Sequence, residues 1–349
     1  MDKLKVAVLY YQYVEKGKMV HDVVVENVTD ALQTLGHHFT LAPVSDNLGR
    51  LVDLLHKQKP DIVFNICESF AGMEEGERHI VAMLEMLRYR FTGSGSVAMA
   101  LTGDKALTKK ILSFHGILTP QFAVVDRKNI ELAGKMRFPL FIKPVRSDSS
   151  RCVGQRSLVN DFDSLVERIR YVHEHVKDAA LVEEYIAGRE FYLGTIGNDP
   201  PVALPLIELD FSRITDGSRH IYDHKAKNDS HSLRYKEMRE IAAVDLPGEW
   251  RSQIDATAVA AVQAVSVCDY ARVDLRVTPA GQAYVVEINA NPYLMRQDTL
   301  ALAARQHGLE YAQFIGRILE AAWIRGRPFK PLPNSAKGHP SKAATATRR

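Results

Sequence analysis

Apolar residues run almost unbroken through KVAVLY (5–10), which predicts a strand buried on both faces. In VVVENVTDALQTLGH (23–37) they recur at spacings of three and four and stop at Gly36, the pattern of an amphipathic helix. DIVFNI (61–66) repeats the strand pattern and RHIVAMLEMLRY (78–89) the helix pattern, after which RFTGSG turns back toward the sheet. That alternation predicts an α/β unit with a parallel sheet over residues 1–95. A helix over 104–114, strands at 121–125 and 138–145, a helix over 162–176 capped by Asp161, and a strand at 180–186 predict a second unit, 96–186. A third, 187–328, holds predicted strands near 190–196 and 202–209, a hairpin, a helix over 249–265 and a terminal helix around 298–325. Its strands would form a large antiparallel sheet. The stretch 210–235 is long, polar and charged, and a loop of that length usually has a job or moves.

The hairpin carries the first candidate chemistry. DYARVDLRVTPAGQAYVVEINANP reads as two strands joined by the turn Thr278-Pro279-Ala280-Gly281. Arg272 and Asp274 are two apart and share a face, as do Glu287 and Asn289. Antiparallel pairing would bring three oxygen ligands and one guanidinium to one place. Hard oxygens in that number suit Mg²⁺, with phosphate oxygens and water completing six ligands. The same spacing also fits a polar hairpin face with a salt bridge. Lys143 lies in the apolar strand FPLFIK, on a different face from Ile142, where a lysine needs an anion or must give up its charge. Lys105, on an otherwise amphipathic helix, reads by itself as a solvated lysine.

Composition narrows the function classes. A hydrophobic share of 46% and a charged share of 25% are those of a folded soluble chain. No apolar run reaches the length of a membrane span and no early signal segment is present, so a cytoplasmic protein without membrane contact is expected. The net charge of +3 owes four basic residues to the Pro-, Ser- and Ala-rich stretch from Pro331 onward; without them the body is near −1, which is no face for nucleic acid. The tail, 329–349, is expected to be disordered. Cys67, Cys152 and Cys268 are far apart and form neither a metal motif nor a disulfide framework.

The motifs TGDKALTKKIL, FPLFIKPVRSDSS, LVEEYIAGREF, HKAKN, ARVDLRV and VVEINANP follow in that order. Together they resemble the ATP-grasp superfamily, specifically the D-alanine–D-alanine ligase-like carboxylate–amine ligases, over roughly residues 60–325. The resemblance implies an α/β (α+β) ATP-grasp fold of three domains, with ATP bound between the central and C-terminal ones. It implies ATP and two Mg²⁺ ions (Mn²⁺ as a substitute), small carboxylate and amine substrates, and an acyl phosphate attacked by the amine; a homodimer is left open. Lys105 and Lys143 would hold the ATP phosphates, and Ser149 and Ser150 would lie in the loop that closes over them. Glu183 would sit near the adenine amino group, the backbone of Tyr185 and Ile186 at the adenine edge, and Glu190 at the ribose. Lys227 would reach the γ-phosphate, Arg272 would stabilise the tetrahedral intermediate with Ser150 and Lys227 beside it, and Asp274, Glu287 and Asn289 would hold the metals.

The acceptor side departs from that family's pattern. Tyr293 stands where glycine is expected, Arg296 adds a cation suited to a carboxylate, and Asn228 replaces a tyrosine. Cys152 replaces a glycine in the phosphate loop, and the first loop lacks a Gly-Gly pair, with Glu15 a candidate for the substrate ammonium. An amino acid or small derived metabolite is therefore expected as substrate in place of routine D-alanine dimerisation. A true D-alanine–D-alanine ligase and a non-catalytic nucleotide-binding protein are the alternatives.

Overall fold

The computed structural model describes residues 2–126, 136–147, 153–214, 221–222, 231–232 and 236–326. Ser149, Ser150, Lys227, Asn228, Cys152 and the tail from 327 lie outside the described residues.

The first sheet is parallel in the order β4-β1-β5, built from β1 (Lys5–Tyr11), β4 (His38–Val44) and β5 (Ile62–Ile66). Helices α1 (Val24–Thr34), α2 (Leu48–Gln58) and α3 (Gly76–Met86) flank it. β4 is an edge strand whose Phe39 and Leu41 stay exposed, so its sequence lacks the clean apolar run that marks β1 and β5. Between β1 and α1 the chain makes a hairpin, β2 (Tyr13–Glu15) and β3 (Lys18–Val20), turned by Lys16 and Gly17, both at positive φ. α4 (Ser96–Thr102) and α5 (Lys105–Phe114) lead to the second sheet.

That sheet has the order β6-β9-β7-β8, all antiparallel: β6 (Phe122–Val125), β7 (Leu140–Pro144), β8 (Leu158–Val159) and β9 (Ala180–Glu184). Asp161 caps α6 (Phe162–His175) by accepting from the Ser164 amide, and Leu165, Ile169 and Val172 pack on Leu140, Ile142 and Val182. The third sheet runs β13-β12-β10-β14-β15 with β11 on β10, comprising β10 (Arg189–Ile196), β11 (Val202–Ala203), β12 (Ile207–Asp210), β13 (Arg239–Ala242), β14 (Tyr270–Val277) and β15 (Ala283–Asn289). The single strand predicted over 202–209 is two strands, because Pro205 has no amide to give the ladder.

α7 (Gly248–Ala264) covers one face of the large sheet, where Ile254, Ala258 and Val262 meet Phe191, Val273 and Leu275. The predicted terminal helix is likewise two, α8 (Thr299–Gln306) and α9 (Tyr311–Arg325), separated at Gly308, whose φ of 84° ends α8. Both pack on the opposite face, in a core shared with β1, β5 and α1. The amino-terminal sheet and the carboxy-terminal helices are thus held by one apolar cluster, and the site opens beside it.

Candidate active site

Alternation along β14 sends Ala271, Val273 and Leu275 into the core under α7, leaving Arg272, Asp274 and Arg276 on the other face. β15 pairs antiparallel, with Arg272 opposite Asn289 and Asp274 opposite Glu287, and a bulge follows Asp274. Paired residues point to the same side, so the hairpin gathers these four side chains as its spacing predicts. Arg272 clasps Asp274 with Nε–Oδ1 at 2.7 Å and Nη2–Oδ2 at 3.1 Å, and lies over the ring of Tyr192, 4.6 Å away. Burial raises the Asp274 carboxyl above its ordinary value despite Arg272. Burial opposes the charge on Arg272 as well, but Asp274 holds the guanidinium well above its ordinary range. The Asn289 side chain accepts from the Asn291 amide at 3.0 Å. Among the described residues no three His, Cys, Asp or Glu side chains converge on one point, so the oxygen set consists of two carboxylates and an amide. Its hard donors fit Mg²⁺, with Asp274 and Glu287 now matched by protein cations.

The lysines come from two other elements. Asp104 caps α5 by accepting from the amides of Ala106 and Leu107, both at 3.0 Å, which sets Lys105 at the first helical position. Its ammonium donates to the Ser147 carbonyl at 2.8 Å and lies 3.2 Å from Glu287 Oε1. Lys105 is only 5% exposed, which corrects the solvated reading of its helix: the face that carries it turns into the cleft. Burial pushes the Glu287 carboxyl up, but Lys105 and Lys143 outweigh it and bring it down to about 2. Lys143 points away from Ile142, as its strand requires, and sits 3.0 Å from Glu183 Oε2.

Glu183 does not present a free carboxylate. It is 2% exposed, and its Oε1 lies 2.6 Å from Lys109 in an ion pair that lacks a well-aligned donor. Burial raises its pKa, and Lys109 and Lys143 together hold it below the ordinary value. The expected adenine contact is thus, in its geometry, first a counter-ion between two buried lysines. Lys109 was not singled out by the sequence, although it lies four residues after Lys105 and therefore on the same helix face.

At the other end, Tyr185 and Ile186 follow β9, with the Tyr185 amide bonded to the Pro139 carbonyl at 3.0 Å. Gly188 turns the chain into β10, where Glu190 stands opposite Arg276. Arg276 donates to Glu190 at 2.8 Å, to the Ile186 carbonyl at 3.0 Å and to the Tyr185 hydroxyl at 2.6 Å. This second unpredicted residue had a signal, since it is two positions beyond Asp274 on the same face. Lys105, Lys143, Tyr185, Ile186, Glu190, Asp274 and Glu287 all line one cleft, closed by Tyr192 and Tyr222.

Residues 111–320 match the family model described as D-ala D-ala ligase C-terminus. The chain is 31% identical over 300 residues to D-alanine–D-alanine ligase of Syntrophotalea carbinolica, covering 85% of this chain and 90% of that protein. The chain belongs to the D-alanine–D-alanine ligase family. It is an ATP-dependent carboxylate–amine ligase with the ATP-grasp fold. An uncharacterized protein of Sinorhizobium fredii is 32% identical over 317 residues, 86% of this chain and 88% of that one. In fold it resembles the D-alanine–D-alanine ligase of Bacillus anthracis complexed with ATP, with a TM-score of 0.69, 22% identity, and 92% and 98% of the two chains covered. The VanG D-Ala:D-Ser ligase of Enterococcus faecalis gives a TM-score of 0.70 at 20% identity, over 92% and 100%.

On the side where the sequence places the acceptor of this ligase, the structure redirects two expectations. Glu15 is exposed on the β2–β3 hairpin and does not line the cleft among the described residues. Asp22, just before α1, accepts instead from the hydroxyl of Tyr293, whose pKa is raised by burial and then by that carboxylate. Arg296 lies 4.7 Å over the ring of Tyr311 and 3.7 Å from Asp30 on α1, while its amide donates to Asn27. Its guanidinium faces the α1–α9 seam because an aromatic face and a carboxylate wait there. The Arg296→Ala ligase is expected to keep kcat/KM within about threefold and lose about 0.5–1 kcal/mol of stability. A tenfold kinetic change with the best substrate would return Arg296 to the acceptor pocket. Glu240 was not predicted either. It shares the sheet face of Tyr192 and Arg272 through the β12–β13 pairing, accepts from Thr299 Oγ1 at 2.6 Å, and has its carboxyl raised by burial.

Proposed function

We propose that this ligase joins a small carboxylate to an amine through an acyl phosphate, releasing ADP and phosphate, with ATP held between the second and third sheets. The observation that carries the reading is the convergence of Lys105, Lys143, Asp274 and Glu287 on one cleft, with Arg272 clasping Asp274. Of three domains, 1–95, 96–186 and 187–328, the second and third would supply these groups. The substrate carboxylate attacks the γ-phosphorus, ADP leaves, the amine nitrogen attacks the acyl carbon, and phosphate departs as the C–N bond forms and the amine proton is lost. Lys105 and Lys143 would bind the phosphates, the Tyr185–Ile186 backbone the adenine edge, and Glu190 the ribose hydroxyls, which suit an acceptor-only carboxylate. Arg272, held by Asp274, would meet the negative charge that develops on the tetrahedral carbon's oxygen. Ser149, Ser150 and Lys227 would complete the phosphate contacts. Asp274, Glu287 and Asn289 would hold Mg²⁺, which supplies charge neutralisation of the phosphates when bound.

The acceptor is proposed to differ from D-alanine, an amino acid or a derived metabolite taking its place. Support comes from Tyr293, which stands where the family pattern has glycine and bonds Asp22, and from Glu240, which adds a half-buried carboxyl on the sheet face of Arg272. Incubation with ATP, Mg²⁺ and an amino-acid panel should release ADP and phosphate, fastest with a pair other than two D-alanines. Release of AMP and pyrophosphate would defeat the acyl-phosphate chemistry. D-alanine dimerisation exceeding every other pair would make the protein a D-alanine–D-alanine ligase with atypical loops.

A further inference from the structure

We propose that Lys109 is a positioning residue for nucleotide binding: its ammonium, walled off from the cleft, offsets the charge of Glu183 and so leaves the wall formed with Lys143 net positive toward the phosphates. The proposal deepens the ligase reading and rests on it for the location of the triphosphate.

The geometry excludes a direct role. Lys109 is 1% exposed and does not line the cleft, whereas Lys143, Glu183 and Val286 do. Its ammonium donates to Thr119 Oγ1 at 2.8 Å and to the Val286 carbonyl at 3.2 Å, and forms an ion pair with Glu183 Oε1 at 2.6 Å. Thr119 can accept because its own hydroxyl proton goes to the Val285 carbonyl, 2.9 Å away. Buried and held by these groups, the ammonium does not reach a substrate in the cleft. One ammonium therefore ties α5 to β9 and to the strand that carries Glu287.

Charge gives this tie its consequence. Lys109, Glu183 and Lys143 form a buried wall with a net charge of +1 when all three are ionised. Without Lys109, Glu183 would have Lys143 as its sole close cation, the pair would sum to zero, and the wall would lose its attraction for a triphosphate. The charged groups facing Lys109 are Glu183 from β9, Lys143 from β7 and Glu287 from β15, with Lys105 on its own helix. Burial lowers the Lys109 ammonium to about 8, although Glu183 opposes the shift. The wall is therefore cationic below about pH 8 and loses that charge above it, so ATP affinity should weaken as pH rises through this range.

Calorimetric titration with ATP and Mg²⁺, without amino acids, tests the wall whether or not the ligation substrates are known. Lys109→Met is expected to weaken ATP binding at least tenfold at pH 7. Adding Glu183→Gln to that variant removes the unmatched carboxylate, restores the +1 wall, and should recover most of the loss. The wild type should weaken between pH 7 and 9, and the double variant should not. Should Lys109→Met fail to fold, the double variant, which buries no unmatched carboxylate, is compared with wild type directly. Unchanged affinity in Lys109→Met would overturn the proposal. So would a double variant no tighter than the single one, or, where only the double variant folds, one that keeps the wild-type weakening with pH. Detectable ATP binding without any ligation activity would count against the ligase reading alone.

Discussion

Replacing Glu287 with glutamine lowers kcat by at least about a hundredfold, which corresponds to about 2.7 kcal/mol of transition-state stabilisation. Glutamine keeps the shape and loses the charge. The carboxylate it removes is held down to about 2 against burial by Lys105 and Lys143. It would be the main anionic oxygen for a cation, since Asp274 spends both its oxygens on Arg272. Lys105 also loses its ion partner and keeps the Ser147 carbonyl. Glu287 is 28% exposed, so water can compensate part of that loss, and a stability cost of about 1–2 kcal/mol is expected. Steady-state ADP release, with Mg²⁺ varied, separates the two effects: kcat falls and the half-saturating Mg²⁺ concentration rises. A Glu287→Gln enzyme turning over within threefold of wild type would remove Glu287 from the metal set.

Gly188→Ala is expected to lose about 3 kcal/mol or more, or to fail to accumulate as folded protein. A Cβ there would lie 2.0 Å from the carbonyl oxygen of Val277, which is backbone and cannot swing aside. The φ of 149° adds a conformation that side-chain-bearing residues rarely adopt. Gly197 separates the two causes. Its φ is 86° but its Cβ would meet nothing within 4 Å, so Gly197→Ala should cost only about 1 kcal/mol. Denaturant midpoints of the two variants decide whether contact or backbone strain dominates. Equal losses would reject the clash. The result bears on function because Gly188 lies between Ile186 and Glu190, both held by Arg276.

The order of strands and helices was legible wherever one face is buried, as in β1, β5 and the β14–β15 hairpin. A strand has a period of two, so Arg272, Asp274, Glu287 and Asn289 could be assigned to one face from spacing alone, and the register bears that out. β4 and the breaks at Pro205 and Gly308 were less legible, because an exposed edge strand and a split helix carry weak periodicity.

Partners were the province of the tertiary structure. Lys105 and Glu287 are far apart in sequence, as are Lys109 and Glu183 or Arg276 and Ile186. Whether a lysine on an amphipathic helix is solvated or buried depends on what the fold brings opposite it, which helical spacing does not encode. The same reason turned Arg296 to Tyr311 and Asp30, left Glu15 in solvent, and gave Tyr293 to Asp22. By itself the sequence determined which residue types could do this chemistry and which faces they share. Only the tertiary structure decided which charges meet, because burial and counter-ions, not spacing, set whether a side chain is a ligand, a counter-ion or a strut.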